Sequence, residues 1–209
     1  MRVVPTRVAF ALVTLATCAI AAVAGVLIAQ DTASPPRDTR GFAGAIRPPG
    51  ARAPAFRLRD QDGAVTSMAQ YRGRPVVMTF LYSTCEDTCP LQVQSIRGAL
   101  DRVGADVPVL GVSVDPRGDS PERARRFVLK QRMTGRMRFL LGRRAALEPV
   151  WRGYGIAPQR GKLDHSAYVV LVDGRGRQRV GFPASELTPE DLAHDVRLLL
   201  RGQATARAS

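Results

Sequence analysis

The chain has 209 residues, 45% of them hydrophobic and 23% charged, proportions of a globular protein that exclude wholesale disorder and a many-span membrane protein. Three cysteines are too few for a disulfide scaffold, and two histidines are too few for a histidine cluster. The 31 basic residues outweigh 18 acidic ones by +13, but they are arginines scattered along the chain (Lys130 and Lys162 apart), with no basic run or interleaved aromatics, so no nucleic-acid partner is expected.

Val8 to Ala29 carries no charge over 22 residues. As a helix it would reach ~33 Å, enough to cross a bilayer core. Arg2 and Arg7 precede it and Asp31 follows, so the positive-inside rule keeps the amino terminus in the cytoplasm and exports the rest. Residues 1–30 are therefore expected to be one transmembrane helix, retained in the cytoplasmic (inner) membrane. A cleaved signal peptide is the alternative, since the stretch is rich in alanine. Cys18 falls inside it and reads as a small buried residue. Residues 31–53, with Pro35-Pro36 and Pro48-Pro49-Gly50, keep no apolar period and read as a linker.

Residues 54–201 alternate strand and helix signals. Ala55–Leu58 and Ala64–Thr66 flank Gln61-Asp62-Gly63 as a hairpin. Val76–Tyr82 is a nearly continuous apolar run, as in a strand buried on both faces. Leu91–Val103 has helical spacing, and Val107–Val114 is a second buried strand. Asp119-Ser120-Pro121-Glu122 opens another helix with a cap, a proline and an early acid. A short strand at Arg138–Leu141, a helix at Ala145–Tyr154 and a buried strand at Ser166–Val172 follow. Asp173-Gly174-Arg175-Gly176 turns that strand into Arg177–Phe182. A last helix starts at Thr188-Pro189-Glu190-Asp191 and ends near Leu200, with 202–209 a tail. This order predicts an α/β domain around a central mixed sheet flanked by helices.

The chemistry is concentrated in Ser83-Thr84-Cys85-Glu86-Asp87-Thr88-Cys89-Pro90, between the first buried strand and the following helix. Strand ends of open α/β sheets are common ligand sites. If 85–89 form a helical turn, two cysteines four apart share a face, and a helix amino terminus favours their thiolates. Converging thiolates are soft donors that select Cu(I), with zinc possible. A purely structural disulfide would close a tiny loop and add little stability. Asp164-His165 precedes the strand 166–172, which is expected beside the strand ending at Tyr82. His165 would then face the cysteine turn, and an imidazole beside two thiolates suits Cu(II) as well as Cu(I). His194, between Asp191 and Asp195 on the last helix, reads as solvated.

The chain resembles the SCO1/SenC family of membrane-anchored, thioredoxin-like copper chaperones. The resemblance rests on Phe80 to Pro90, on Ser113-Val114-Asp115-Pro116 with Asp119-Ser120-Pro121-Glu122, and on Met133-Thr134-Gly135. Trp151 to Gly155, Asp164-His165-Ser166-Ala167-Tyr168 and Asp173-Gly174 complete it, in the family's order over about 54–200. It implies a thioredoxin-like fold and copper held by Cys85, Cys89 and His165, with Asp87, Asp115 and Asp164 near the site. It also implies delivery to the binuclear copper centre of cytochrome c oxidase subunit II by a domain on the exported side. Other copper carriers or thiol reductants are further expected partners. The family's cysteine loop usually has proline where Glu86 stands and an aliphatic residue where Thr88 stands. Both cysteines remain, so the departures point to altered affinity or potential.

A thiol–disulfide oxidoreductase that reduces a partner's cysteines is the competing reading. Three residues between the cysteines, in place of the two usual in redox proteins, favour metal. So does His165, which stands where thioredoxins place a proline. A peroxiredoxin-type peroxidase lacks its threonine–cysteine–arginine arrangement here. Copper loading and a Cys85–Cys89 disulfide would exclude each other, so oxidation would switch a chaperone off.

Overall fold

A computed structural model describes residues 41–157 and 167–208. The expected transmembrane segment lies outside them, as do Asp164 and His165. Among the described residues no helix is long and apolar enough to cross a membrane.

The strands are β1 (Ala45–Ile46), β2 (Arg57–Arg59), β3 (Val65–Ser67), β4 (Val76–Leu81), β5 (Val109–Ser113), β6 (Met137–Leu140), β7 (Tyr168–Val172) and β8 (Gln178–Pro183). The helices are α1 (Thr88–Val103), α2 (Pro121–Lys130), α3 (Arg144–Tyr154) and α4 (Pro189–Ala208). Six strands make one sheet in the order β1-β8-β7-β4-β5-β6, and β2 pairs with β3 as a separate hairpin. β4, β5 and β6 run parallel, whereas β7 runs antiparallel to β4, with Thr79 opposite Val169. This is the mixed, thioredoxin-like sheet that the sequence predicts.

The continuous apolar runs are explained by burial on both faces: every residue of β4 and β5 is buried. One face carries the inward sides of α1, α2 and α4, including Val93, Ile96, Phe127, Leu192 and Val196. The other carries α3 through Leu147, Val150, Trp151 and Tyr154, together with Leu58 of the hairpin. Gly104 and Gly155 end α1 and α3 in the left-handed conformation, which a residue without Cβ adopts at little cost.

Both sheet edges are covered or short. On β6 the outward backbone donors are all engaged: Met137 N donates to Met133 O, Phe139 N to Gln61 Oε1 and Leu141 N to Arg59 O. Arg138 adds an ion pair to the buried Asp60 at 2.6 Å, so the hairpin seals that edge. The opposite edge, β1, is two residues long.

The structure corrects three local expectations. The stretch 31–53 is not linker throughout, because Ala45 and Ile46 pair with Gly181 and Val180, and Arg52 bridges Arg177. Ala43 N and Gly44 N donate to the buried carboxylate of Asp195 at 2.8 and 3.0 Å. No apolar period marks this piece because both β1 side chains are exposed and its anchoring is backbone to carboxylate. α4 runs beyond Leu200 to Ala208, so the expected tail is helical over most of its length. His194 is half-buried rather than solvated, since Asp191 and Asp195 beside it are buried.

Candidate functional site

β4 ends at Leu81 and delivers the chain into the cysteine loop. Residues 83–87 form turns and bends, and α1 starts at Thr88 with Asp87 at the N-cap. The expected helical turn over 85–89 is therefore absent. Asp87 has φ −113° and ψ −88°, which is not helical backbone, and its side chain makes no capping bond. The sulfurs approach by another route. Cys85 N donates to Tyr82 O at 3.3 Å, folding the loop back, and Cys89 N donates to Cys85 Sγ at 3.3 Å. The two cysteines are not joined by a disulfide.

The two thiols are unequal. Cys85 is half-buried, whereas Cys89 is fully buried in the apolar cluster under α1. Burial pushes the Cys89 thiol far above its ordinary value, and the bond to Cys85 and the charge of Asp119 act in the same direction. Thiolate stabilisation by the helix amino terminus was the expectation for both thiols. For Cys89 desolvation outweighs it, because a charged sulfur would have to sit without water.

Asp119 holds the loop. Its Oδ1 accepts from Ser83 N at 2.7 Å and from Ser83 Oγ at 2.5 Å, and its Oδ2 accepts from Ser113 Oγ at 2.5 Å. Burial raises the Asp119 carboxyl above the usual range, against the lowering effect of these bonds. Ser113 O in turn accepts from Trp151 Nε1 at 2.9 Å, so the clamp reaches through the sheet to α3. In the sequence Asp119 is read only as part of the helix opening Asp119-Ser120-Pro121-Glu122, with no tertiary role. The cap is Ser120, whose Oγ accepts from Arg123 N. The signal for Asp119 was the doubled acid-hydroxyl pair before Pro121: one residue caps, which leaves the other for a tertiary bond.

Gln92 was also missed. It lies three residues after Cys89 on the inward face of α1, and its Nε2 donates to Thr79 Oγ1 at 2.7 Å and to Tyr168 O at 3.0 Å. It thereby fastens α1 to β4 and β7 at once. A glutamine among Cys89, Val93 and Ile96 on the inward face of the helix was the available sign.

Asp115 organises its own loop, with Oδ1 accepting from Arg117 N and Gly118 N at 3.3 and 3.0 Å. Asp87 and Glu86 are exposed. β7 lies beside β4 and begins at the end of the sheet where β4 leaves for the cysteines, as expected. Asp164 and His165 precede that strand, outside the described residues. Among the described residues no group of three or more Cys, His, Asp or Glu is arranged to hold a metal. The described donors are thus two sulfurs, a soft pair suited to Cu(I).

A Mycobacterium tuberculosis protein named as a peroxiredoxin is 33% identical over 132 residues, covering 61% of this chain and 80% of that protein. The copper-bound structure of Bradyrhizobium japonicum ScoI is 28% identical, with TM-score 0.60, covering 71% of this chain and 99% of that one. Copper-bound Arabidopsis thaliana ScoI shares the fold at TM-score 0.66 and 21% identity, covering 73% of this chain and 99% of that one. The SCO1/SenC family model matches residues 45–201, from β1 through the body of α4, and the chain belongs to that family.

Proposed function

We propose that this protein is a copper chaperone that takes copper as cargo on Cys85, Cys89 and His165 and passes it on by ligand exchange. The single observation that carries this reading is the hydrogen-bonded but unbridged pair Cys85–Cys89 at the end of β4. With Cys89 N donating to Cys85 Sγ, the loop keeps two soft donors together before metal arrives. The copper-bound ScoI proteins of the same fold support it. Asp164 stands next to His165 in the chain and is proposed to orient its ring, as a carboxylate beside a ligating imidazole does.

The destination is proposed to be the binuclear copper centre of cytochrome c oxidase subunit II. The domain would work on the exported side of the cytoplasmic membrane, tethered by residues 1–30. The charge asymmetry about residues 8–29 supports that placement.

Thiol–disulfide exchange is the second reading, favoured by the asymmetry of the two thiols. Cys85 is accessible to a partner's sulfur, and the buried Cys89 stands behind it as the resolving thiol. The peroxiredoxin name of one relative points to the same kind of chemistry.

Copper titration of the reduced full-length protein separates the two. One copper per chain with sulfur-to-metal charge-transfer absorption is expected, with affinity reduced at least about 10-fold in His165→Ala. Unchanged affinity in that variant removes His165 from the ligand set, and no uptake by the wild type leaves the exchange reading.

A further inference from the structure

Beside Cys85 lies an open cavity of about 340 Å³, walled by the cysteine loop on one side and by α2 on the other. Cys85 and Glu86 line the loop wall, and Arg123, Arg126, Phe127 and Lys130 line the α2 wall. Phe127 is buried and forms an apolar floor. Three cations thus face one carboxylate. Arg123 Nη1 donates to Gly118 O at 2.6 Å, which fixes its position. Glu122, one turn before Arg126, interacts electrostatically with Arg125 and Arg126. Among the described residues Arg126 and Lys130 make no ion pair, and both are exposed. The two walls are rigidly related, because Asp119, just before α2, holds Ser83 of the loop through two bonds.

Geometry restricts how a partner can reach the sulfurs. Cys89 is buried and Cys85 half-buried, so an incoming sulfur meets Cys85 first, and the cleft opens beside that residue. We propose that the cleft between Cys85 and α2 is a docking groove for an acidic stretch flanking the partner's cysteine, with Arg126 and Lys130 as its recognition charges. The inference deepens the proposed function by naming the chemistry of the partner, and it rests on Cys85 being the point of exchange. Cations close to the reacting sulfur raise the encounter rate of an anionic chain and lose that effect in salt.

The test uses the reduced full-length protein carrying Cys18→Ser in neutral detergent. The probes are two cysteine peptides of equal length, one flanked by aspartates and one by lysines, each joined through a disulfide to thionitrobenzoate. Cys85 Sγ forms a bond to the peptide sulfur and the old S–S bond breaks. The electron pair leaves on the coloured thionitrobenzoate anion, and the Cys85 proton goes to solvent. Rates are divided by those with free cysteine, which removes the peptides' intrinsic reactivity.

The acidic peptide is expected to react about 10-fold faster at low salt, with the ratio falling towards one in ~1 M salt. Arg126→Glu with Lys130→Glu should reverse the preference. Arg175→Glu with Arg177→Glu changes net charge equally at the opposite end of the sheet and should leave the ratio nearly intact. A ratio near one, equal effects of the two double variants, or no release by Cys85 overturns the groove. Copper titration of the wild type beside the Arg126/Lys130 variant keeps the two claims apart. A chain that takes up no copper yet discriminates between the peptides refutes the chaperone reading and leaves the groove standing.

Discussion

An aspartate sits at each end of the sheet, and the two are built differently. At the cysteine end Asp119 accepts from Ser83 and Ser113, which come from the ends of two parallel strands. At the opposite end Asp173, after β7, accepts from Arg175 N and Arg177 N at 3.0 and 2.9 Å and pairs with Arg179 at 3.2 Å. The Asp173 cluster is assembled from a few consecutive residues, so it forms once the turn forms. The Asp119 cluster spans 36 positions between Ser83 and Asp119 and exists only when β4 and β5 lie side by side. Local carboxylates shape turns, whereas the distant one fixes the reactive loop to the fold.

Substitution should break the two unequally. Asp119→Ala strands Ser83 N, Ser83 Oγ and Ser113 Oγ, and it is expected to lower unfolding free energy by about 3 kcal/mol in urea titrations. A loss under 1 kcal/mol would mean that the clamp is dispensable. Asp173→Ala leaves groups near the surface that water can reach, so a loss of about 1.5 kcal/mol is expected by the same measurement. If the order of the two is inverted, the contrast between local and distant clamps fails.

A smaller effect sharpens the comparison by pH. Burial raises the carboxyl of Asp119 in the folded state, so between its ordinary value of 3.8 and that raised value the folded chain holds more protons than the unfolded one. Stability from this group is therefore fully present below the ordinary value and is lost as pH rises through the folded value. Asp195 is raised by burial as well and has the same sign. Asp119→Asn should flatten the decline by less than ~1.4 kcal/mol per pH unit, read from urea midpoints between pH 3 and 7. A decline of unchanged slope in that variant would assign it to other groups.

The same contrast explains what could be read from the sequence. The buried strands β4, β5 and β7, the Asp173 turn and the proline-led start of α2 carry local signals: apolar runs, Asp-Gly, and Ser-Pro-Glu. Cys85 and Cys89 stand out for the same reason, being two soft donors in one loop. Gln92 and Asp119 carry local signs of a buried polar role, but their partners depend on which strands become neighbours, and no local pattern encodes that. The segment at Ala45–Ile46 failed for a related reason, since a short edge strand held by the Asp195 carboxylate needs no apolar period. The Cys89 environment was misjudged because the helix terminus is visible in sequence and the depth of burial is not.

The sealed flank of β6 has a consequence for recognition. With Met137, Phe139 and Leu141 already donating inward to the protein, no extended peptide can lengthen the sheet there, and β1 offers a ladder of two residues on the other side. Strand addition, the commonplace way for one chain to grip another, is closed along β6 and limited to two residues along β1. The ends of the sheet, where loops and helix faces present side chains, thereby gain weight as places of contact.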